Sequence, residues 1–357
     1  MKRHIFHSDV PFSFEAGGEL PGLDLVYYTS EHERAAGEKV IWICHALTGN
    51  ADPSDWWSEM VGEGRLIDTS RHFVVCVNML CSAYGSSGPR SIDPATGEPY
   101  FFTFPMTTIR DIVKANTLIR KHLGINQIDL LIGPSVGGYQ AAEWAVMEAS
   151  VIGEVVLLAT DIQISPYLTA YNESQRMALE ADPSFRQSRS LEGGRAGLEC
   201  ARSIALISYR SHGGYCRTQA ETDEDVLFAD RAGSYQRYQG SKLVRRGFDA
   251  YSYWYLTKAL DSMNIGRHRG GIAEALVGIS ARCHVICIDS DCLFPPERGR
   301  EIVAMMPDAD YHEISSAFGH DGFLIENEQL SAIMRPWIPG IAEREDCGKV
   351  PGDSGVI

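Results

Sequence analysis

The chain has 357 residues, 44% hydrophobic and 22% charged, an ordinary globular balance with length enough for a sizeable core. A net charge of −15 argues against a general nucleic-acid binder, which needs a basic face, although a few local cations suffice to hold a small anion. No stretch has the apolar length of a membrane helix and the first residues carry no signal-peptide core; a cytoplasmic location without a membrane partner is expected.

In chain order, residues 12–28 alternate apolar and polar positions broken by Gly and Pro, which predicts an antiparallel hairpin. Short apolar runs follow at 40–44, 73–77, 129–132, 155–159 and 284–288, with a weaker one at 311–314. Continuous apolarity over about five residues marks strands covered on both faces, as in a parallel sheet. Helical patterns alternate with them at 108–123, 136–149 and 296–306, the first capped by Thr108 and Asp111. This alternation predicts an α/β fold with ligands at the carboxyl ends of the strands. From about 163 to 278 the strand runs stop, and polar, aromatic helical segments appear at 197–207 and 249–263. The expected organisation is a core domain of residues 1–162 and 279–341, a helical lid insertion of residues 163–278, and a disordered tail of residues 342–357.

Nine cysteines, an odd number, are scattered along the chain. Cys44, Cys76, Cys283 and Cys287 fall in or beside apolar runs and are expected to be buried free thiols. Cys283, His284, Cys287 and Cys292 match no zinc spacing, and no metal site is expected.

The chemistry concentrates at 129–145. An apolar strand runs into Gly133, Ser135 and Gly137, spaced Gly-x-Ser-x-Gly, and then into a helix. So sharp a turn strains the serine backbone, and only small neighbours let strand and helix approach that closely. The serine Oγ then stands at a helix N-terminus, where N–H groups favour developing negative charge. This is the arrangement for nucleophilic acyl chemistry. The serine needs a base, and the base needs an orienting carboxylate. His320, in a loop after the last strand, supplies the base. Asp289 and Asp291 both lie just past the run at 284–288, with Asp161 a third candidate, and position alone does not separate the first two. The backbone N–H groups of Val136 and of Leu47, in the loop at 44–49, are the expected oxyanion donors. His45 in that loop is expected to shape it.

With these motifs in view the chain resembles the homoserine O-acetyltransferase family, an acyltransferase branch of the α/β-hydrolase fold. The resemblance spans about residues 25–330. It rests on Cys44-His-Ala-Leu-Thr-Gly49, Tyr84-Gly-Ser-Ser-Gly-Pro89, Phe104-Pro-Met-Thr-Thr-Ile-Arg-Asp111, Gln140-Ala-Ala-Glu-Trp-Ala145, Ser290-Asp-Cys-Leu-Phe-Pro295 and Gly319-His-Asp321. It implies a mostly parallel sheet with helices on both faces, and it selects Asp291, the aspartate before the Leu-Phe pair, as the acid. It implies an amino-acid pocket of Arg202, Tyr209 and Asp321, where a guanidinium takes a carboxylate and a carboxylate takes an ammonium. It further implies ping-pong transfer of acetyl from acetyl-CoA through Ser135 to the homoserine hydroxyl, as in methionine biosynthesis, no permanently bound cofactor, and a homodimer joined through the lid. Pro134 and Val136 stand where many members carry Gly and Met, which leaves the acyl donor open. Succinyl-CoA as donor, serine as acceptor, and an esterase or thioesterase with the same machinery stay as alternatives, as does, more remotely, a non-catalytic binding module. Arg231, Arg237, Lys242, Arg245 and Arg246 in the insertion are candidate contacts for CoA phosphates.

Overall fold

The computed structural model describes residues 1–187 and 189–340, so the tail expected at 342–357 lies outside the described residues. One sheet holds β1 (Lys2–Ser8), β2 (Leu23–Thr29), β3 (Val40–Ile43), β4 (Phe73–Val77), β5 (Ile128–Pro134), β6 (Ile152–Leu158), β7 (Arg282–Ile288) and β8 (Ala309–Ile314). Across it the order is β1-β2-β4-β3-β5-β6-β7-β8. β2 is antiparallel to both neighbours, and every pair from β4 to β8 is parallel. The apolar runs make both faces of this sheet. Val40 and Trp42 enter one core cluster while Ile41 and Ile43 enter the other, the arrangement expected of strands covered on both sides.

The hairpin expected over 12–28 needs correction. Phe12–Ser13 and Glu19–Leu20 form only a small two-stranded ribbon, and Leu23–Thr29 pairs instead with the N-terminal strand. β1 is an edge strand whose residues are exposed or half-buried, none of them fully buried. It carries no apolar run, so the sequence pattern does not announce it.

The longer helices are α1 (Ile109–His122), α2 (Val136–Met147), α3 (Pro166–Glu180), α4 (Arg195–Tyr209), α5 (His212–Gln219), α6 (Arg231–Arg245), α7 (Ala250–Asp261) and α8 (Pro296–Met305). The Thr108 side chain accepts from Asp111 N–H while the Asp111 carboxylate accepts from Thr108 N–H, a reciprocal cap on α1 that contributes about 1 kcal/mol. Helices α3 to α7 all fall between β6 and β7. Their Leu168, Leu198 and Tyr251 share one buried cluster with Trp42, Leu131 and Val285 of the sheet. Each such side chain contributes roughly 1.5–3 kcal/mol by leaving water, so the inserted helices are anchored by the same core as the strands. Cys44, Cys76, Cys283 and Cys287 are buried free thiols, and burial pushes those of Cys283 and Cys287 up to about 12, too high for a reactive thiolate. Among the described residues no helix is long and apolar enough to cross a membrane.

Candidate active site

Strand β5 ends at Pro134 and α2 begins at Val136, leaving Ser135 alone to make the turn, with φ 56° and ψ −124°. A non-glycine residue held in so sparsely populated a region stores about 1–3 kcal/mol of strain. The flanking glycines are required by space. A Cβ on Gly133 would fall 2.2 Å from the Gly137 carbonyl oxygen, and one on Gly137 would fall 2.0 Å from that of Cys44. The strain is over-determined by hydrogen bonds. Ser135 N–H donates to Leu158 O at 2.9 Å, and the Ser135 carbonyl accepts from Gly138 N–H at 2.8 Å and from the Thr160 hydroxyl at 2.7 Å. Thr160 lies outside every sequence motif; only the pairing of β5 with β6 brings it here.

The other groups arrive from the carboxyl ends of strands further along the sheet. Asp291 follows β7 and His320 follows β8. Ser135 Oγ lies 2.8 Å from His320 Nε2, and His320 Nδ1 lies 2.7 Å from Asp291 Oδ2. Asp291 Oδ1 accepts from the N–H groups of Leu293 at 2.8 Å and Phe294 at 3.2 Å, so the carboxylate is fixed at both oxygens. These partners assign Nδ1–H as donor to Asp291 and leave Nε2 to accept the serine proton. Phe294, Phe323 and Tyr209 surround the imidazole at ring-centre distances of 5.2, 5.4 and 5.8 Å. Burial pulls the His320 imidazole down, but the Asp291 carboxylate outweighs it, and the net direction is up.

The competing aspartates have other partners. Asp289 accepts from the Ser315 hydroxyl at 2.7 Å and from Ser316 N–H at 3.0 Å, tying β7 to the segment after β8. Asp161 is paired with Arg298 at 3.0 Å. Neither touches His320 through any hydrogen bond.

Val136 opens α2, so its N–H is one of the four without an intrahelical acceptor. Leu47 lines the same cleft as Ser135. His45 pins that loop: Nδ1–H donates to Ala46 O at 2.9 Å and Nε2 accepts from Met79 N–H at 3.1 Å. Complete burial pulls its imidazole down to about 4, which keeps it neutral and able to accept as well as donate.

Ser135, His320, Leu47, Arg202, Tyr209 and Asp321 line one cleft of about 160 Å3. Wider hollows elsewhere, such as one of about 610 Å3 beside Lys39, Arg71 and Arg335, hold no serine–histidine pair. Arg202 reaches the cleft from α4, its guanidinium 5.0 Å from the Tyr209 ring centre. Its Nη1 is buried with no hydrogen-bond partner. Asp321 has a neighbour the sequence motifs do not point to: Arg210 Nε stands 2.9 Å from Asp321 Oδ2, an ion pair not aligned as a hydrogen bond. Burial nevertheless pushes the Asp321 carboxyl up, against the pull of Arg210 and Arg202. Arg246 also lines the cleft and pairs with Asp55 at 3.1 Å.

A strained serine between strand and helix, followed by an aspartate and a histidine on later strands of a sheet in this order, defines an α/β hydrolase. Residues 39–326 match the family model described as alpha/beta hydrolase fold. The homoserine O-acetyltransferase of Cyclobacterium marinum is 42% identical over 337 residues, covering 94% of this chain and 95% of that one. The crystal structure of homoserine O-acetyltransferase from Bacillus anthracis superposes with a TM-score of 0.87 at 23% identity, covering 94% of this chain and 97% of that one. An acetylester hydrolase from Corynebacterium glutamicum superposes at 0.81 with 20% identity, covering 94% and 95%; at such identities the likeness is one of fold. Within the α/β hydrolases, the chain belongs to the homoserine O-acetyltransferase family.

Proposed function

We propose that this protein is a homoserine O-acetyltransferase working by a ping-pong mechanism. Ser135 Oγ passes its proton to His320 Nε2 and attacks the thioester carbonyl of acetyl-CoA. The N–H groups of Leu47 and Val136 receive the oxyanion, and Asp291 stabilises the imidazolium. The C–S bond breaks, His320 returns the proton to sulfur, and CoA leaves as the thiol. Homoserine enters with its carboxylate at Arg202, beside Tyr209, and its ammonium at Asp321. Its hydroxyl passes a proton to His320 and attacks the acetyl-serine; the ester bond to Ser135 breaks, and the serine oxygen takes the proton back. O-acetylhomoserine departs. The helices between β6 and β7 act as a lid that limits water, since transfer must outrun hydrolysis.

The observation that carries this reading is Arg202. A buried guanidinium nitrogen without a partner, in the same cleft as Ser135, is costly unless an anion completes it. An amino-acid carboxylate fits that need, whereas a simple esterase has no use for it. We further read the protein as a cytoplasmic homodimer joined through the inserted helices, with no permanently bound cofactor.

The test is a panel of acetyl-, succinyl- and propionyl-CoA against homoserine and serine, read by CoA release. Release should be fastest with acetyl-CoA and homoserine together. Faster release with succinyl-CoA, or with serine as acceptor, would replace the donor or acceptor named here. Release indifferent to any acceptor would make the protein a thioesterase.

A further inference from the structure

Far from Ser135, toward the amino ends of the parallel strands, three neighbouring strands place an unusual set of side chains on one face. The register sets Glu154 of β6 opposite Arg282 of β7, and His284 of β7 opposite Asp310 of β8. His312 lies two residues beyond Asp310 on the same face. His284 is fully buried. Its ring lies flat against Trp337, with ring centres 3.8 Å apart and planes 13° apart, and the His312 ring stands 5.0 Å from the same indole.

The hydrogen bonds of this group are incomplete in a specific way. His284 Nε2 lies 2.9 Å from Glu154 Oε2, a carboxylate that only accepts, so Nε2 carries a proton. In the neutral ring Nδ1 offers a lone pair for ligation. It has no hydrogen-bond partner, and the nearest charged atom is Asp310 Oδ2 at 3.4 Å. Nδ1 faces the Asp310 carboxylate oxygen across 3.4 Å, an arrangement that a cation set between them, a proton or a metal ion, would complete. His312 Nε2 is likewise buried without a partner. One donor atom from each of His284, Asp310 and His312 falls within 4.8 Å of the others. Arg282 donates to Asp310 Oδ2 at 2.7 Å, but a carboxylate has about four lone-pair sites and is not exhausted by one donor.

We propose that His284 Nδ1, His312 Nε2 and an Asp310 carboxylate oxygen form a binding site for one divalent transition cation of the zinc type. Two imidazoles and one carboxylate suit zinc, cobalt, nickel or copper over calcium or magnesium, which prefer all-oxygen sets. The Glu154–His284 bond is the support such ligands use: a carboxylate holds the far ring nitrogen, fixes the tautomer and makes the ligating nitrogen more basic. Zinc holds such ligands near 2.1 Å, so donor atoms as much as 4.8 Å apart close on the ion as it binds. Because the site joins β7, β8 and the turn at Arg335–Trp337, and lies away from the cleft, its role is to brace this end of the sheet. The spacing of these residues matches no linear metal motif, because the ligands meet across strands.

The full-length chain, stripped with EDTA and dialysed, is titrated with zinc chloride by calorimetry, and with cobalt(II) by visible absorption. The wild type should bind one equivalent, with the cobalt spectrum of nitrogen and oxygen ligands, and zinc should raise its melting temperature. His312→Ala and Asp310→Asn should each weaken zinc binding by more than about tenfold, and Glu154→Gln by roughly 10–100-fold. Circular dichroism shows whether each variant is folded, and two different ligand variants guard against the failure of one. No binding by the wild type would overturn the proposal and leave a proton to bridge His284 and Asp310. So would binding that survives in His312→Ala and Asp310→Asn but is lost in Cys216→Ser, whose parent thiol lies 3.6 Å from His212 Nε2.

Discussion

His320 is pulled in two directions, downward by burial and upward by Asp291, and the carboxylate wins. The base must be neutral to take the serine proton, so kcat/KM for acetyl-CoA should fall about tenfold per pH unit below the His320 pKa, with a midpoint above the ordinary 6.5. A midpoint below that value in the pH–rate profile would show that burial dominates. The linked stability has the opposite sense. A raised folded-state pKa contributes stability in full below the unfolded value, and the contribution is lost as pH rises through the folded one. The enzyme therefore works in the protonation state in which this histidine contributes least to the fold. Asp291→Asn should cost roughly 10⁴-fold in turnover. Asp289→Asn, which loses only its ties to Ser315 and Ser316, should cost far less; steady-state rates of the two variants check the ranking. Position in the sequence left these two aspartates equal, because both follow the same strand. What separates them is which carboxylate turns toward His320, and that depends on the fold of a loop. Arg210 was less legible still: nothing in its surroundings marks it as the partner of Asp321, which lies on a segment more than a hundred residues later.

Among the elements, the end of α6 distinguishes two adjacent arginines. Arg246, which caps the helix, lines the cleft and pairs with Asp55. Arg245 lies 5.3 Å from the Tyr238 ring centre and donates to Ser241 at 2.6 Å, outside the cleft lining. Of the two, only Arg246 lines the cleft, which makes it the candidate contact for the phosphates of CoA. Arg246→Ala should raise KM for acetyl-CoA several-fold with little change for homoserine, and Arg245→Ala should change neither; equal effects of the two would make both ordinary surface charges. The strands of the central sheet were readable because burial on both faces leaves an apolar run. β1 was not, since Lys2–Ser8 forms an edge with one neighbour and polar alternation. The crossing that puts β4 between β2 and β3 was equally hidden, because local periodicity says nothing about which strands become neighbours.

Over the whole molecule, the apolar residues that remain outside deserve an explanation. Leu227 and Phe228, on the segment before α6, are 85% and 83% exposed. The proposed homodimer through the inserted helices would cover these side chains. Sedimentation should report a dimer for the wild type and a shift toward monomer for the Leu227→Asp, Phe228→Asp double variant; a wild-type monomer would contradict the assembly. The net charge of −15 gives no general attraction for an anionic substrate, so both CoA and the acceptor carboxylate depend on individual guanidinium groups. The central claim is that the acetyl group rests on Ser135 and then passes to an amino acid held by Arg202. Its most direct test is a single turnover of pre-acetylated enzyme mixed with homoserine, with O-acetylhomoserine and acetate measured together. The wild type should give mostly O-acetylhomoserine, and Arg202→Ala should acetylate normally but transfer at least about tenfold more slowly, with acetate taking its place. Acetate as the main product of the wild type, whether or not homoserine is present, would contradict the account.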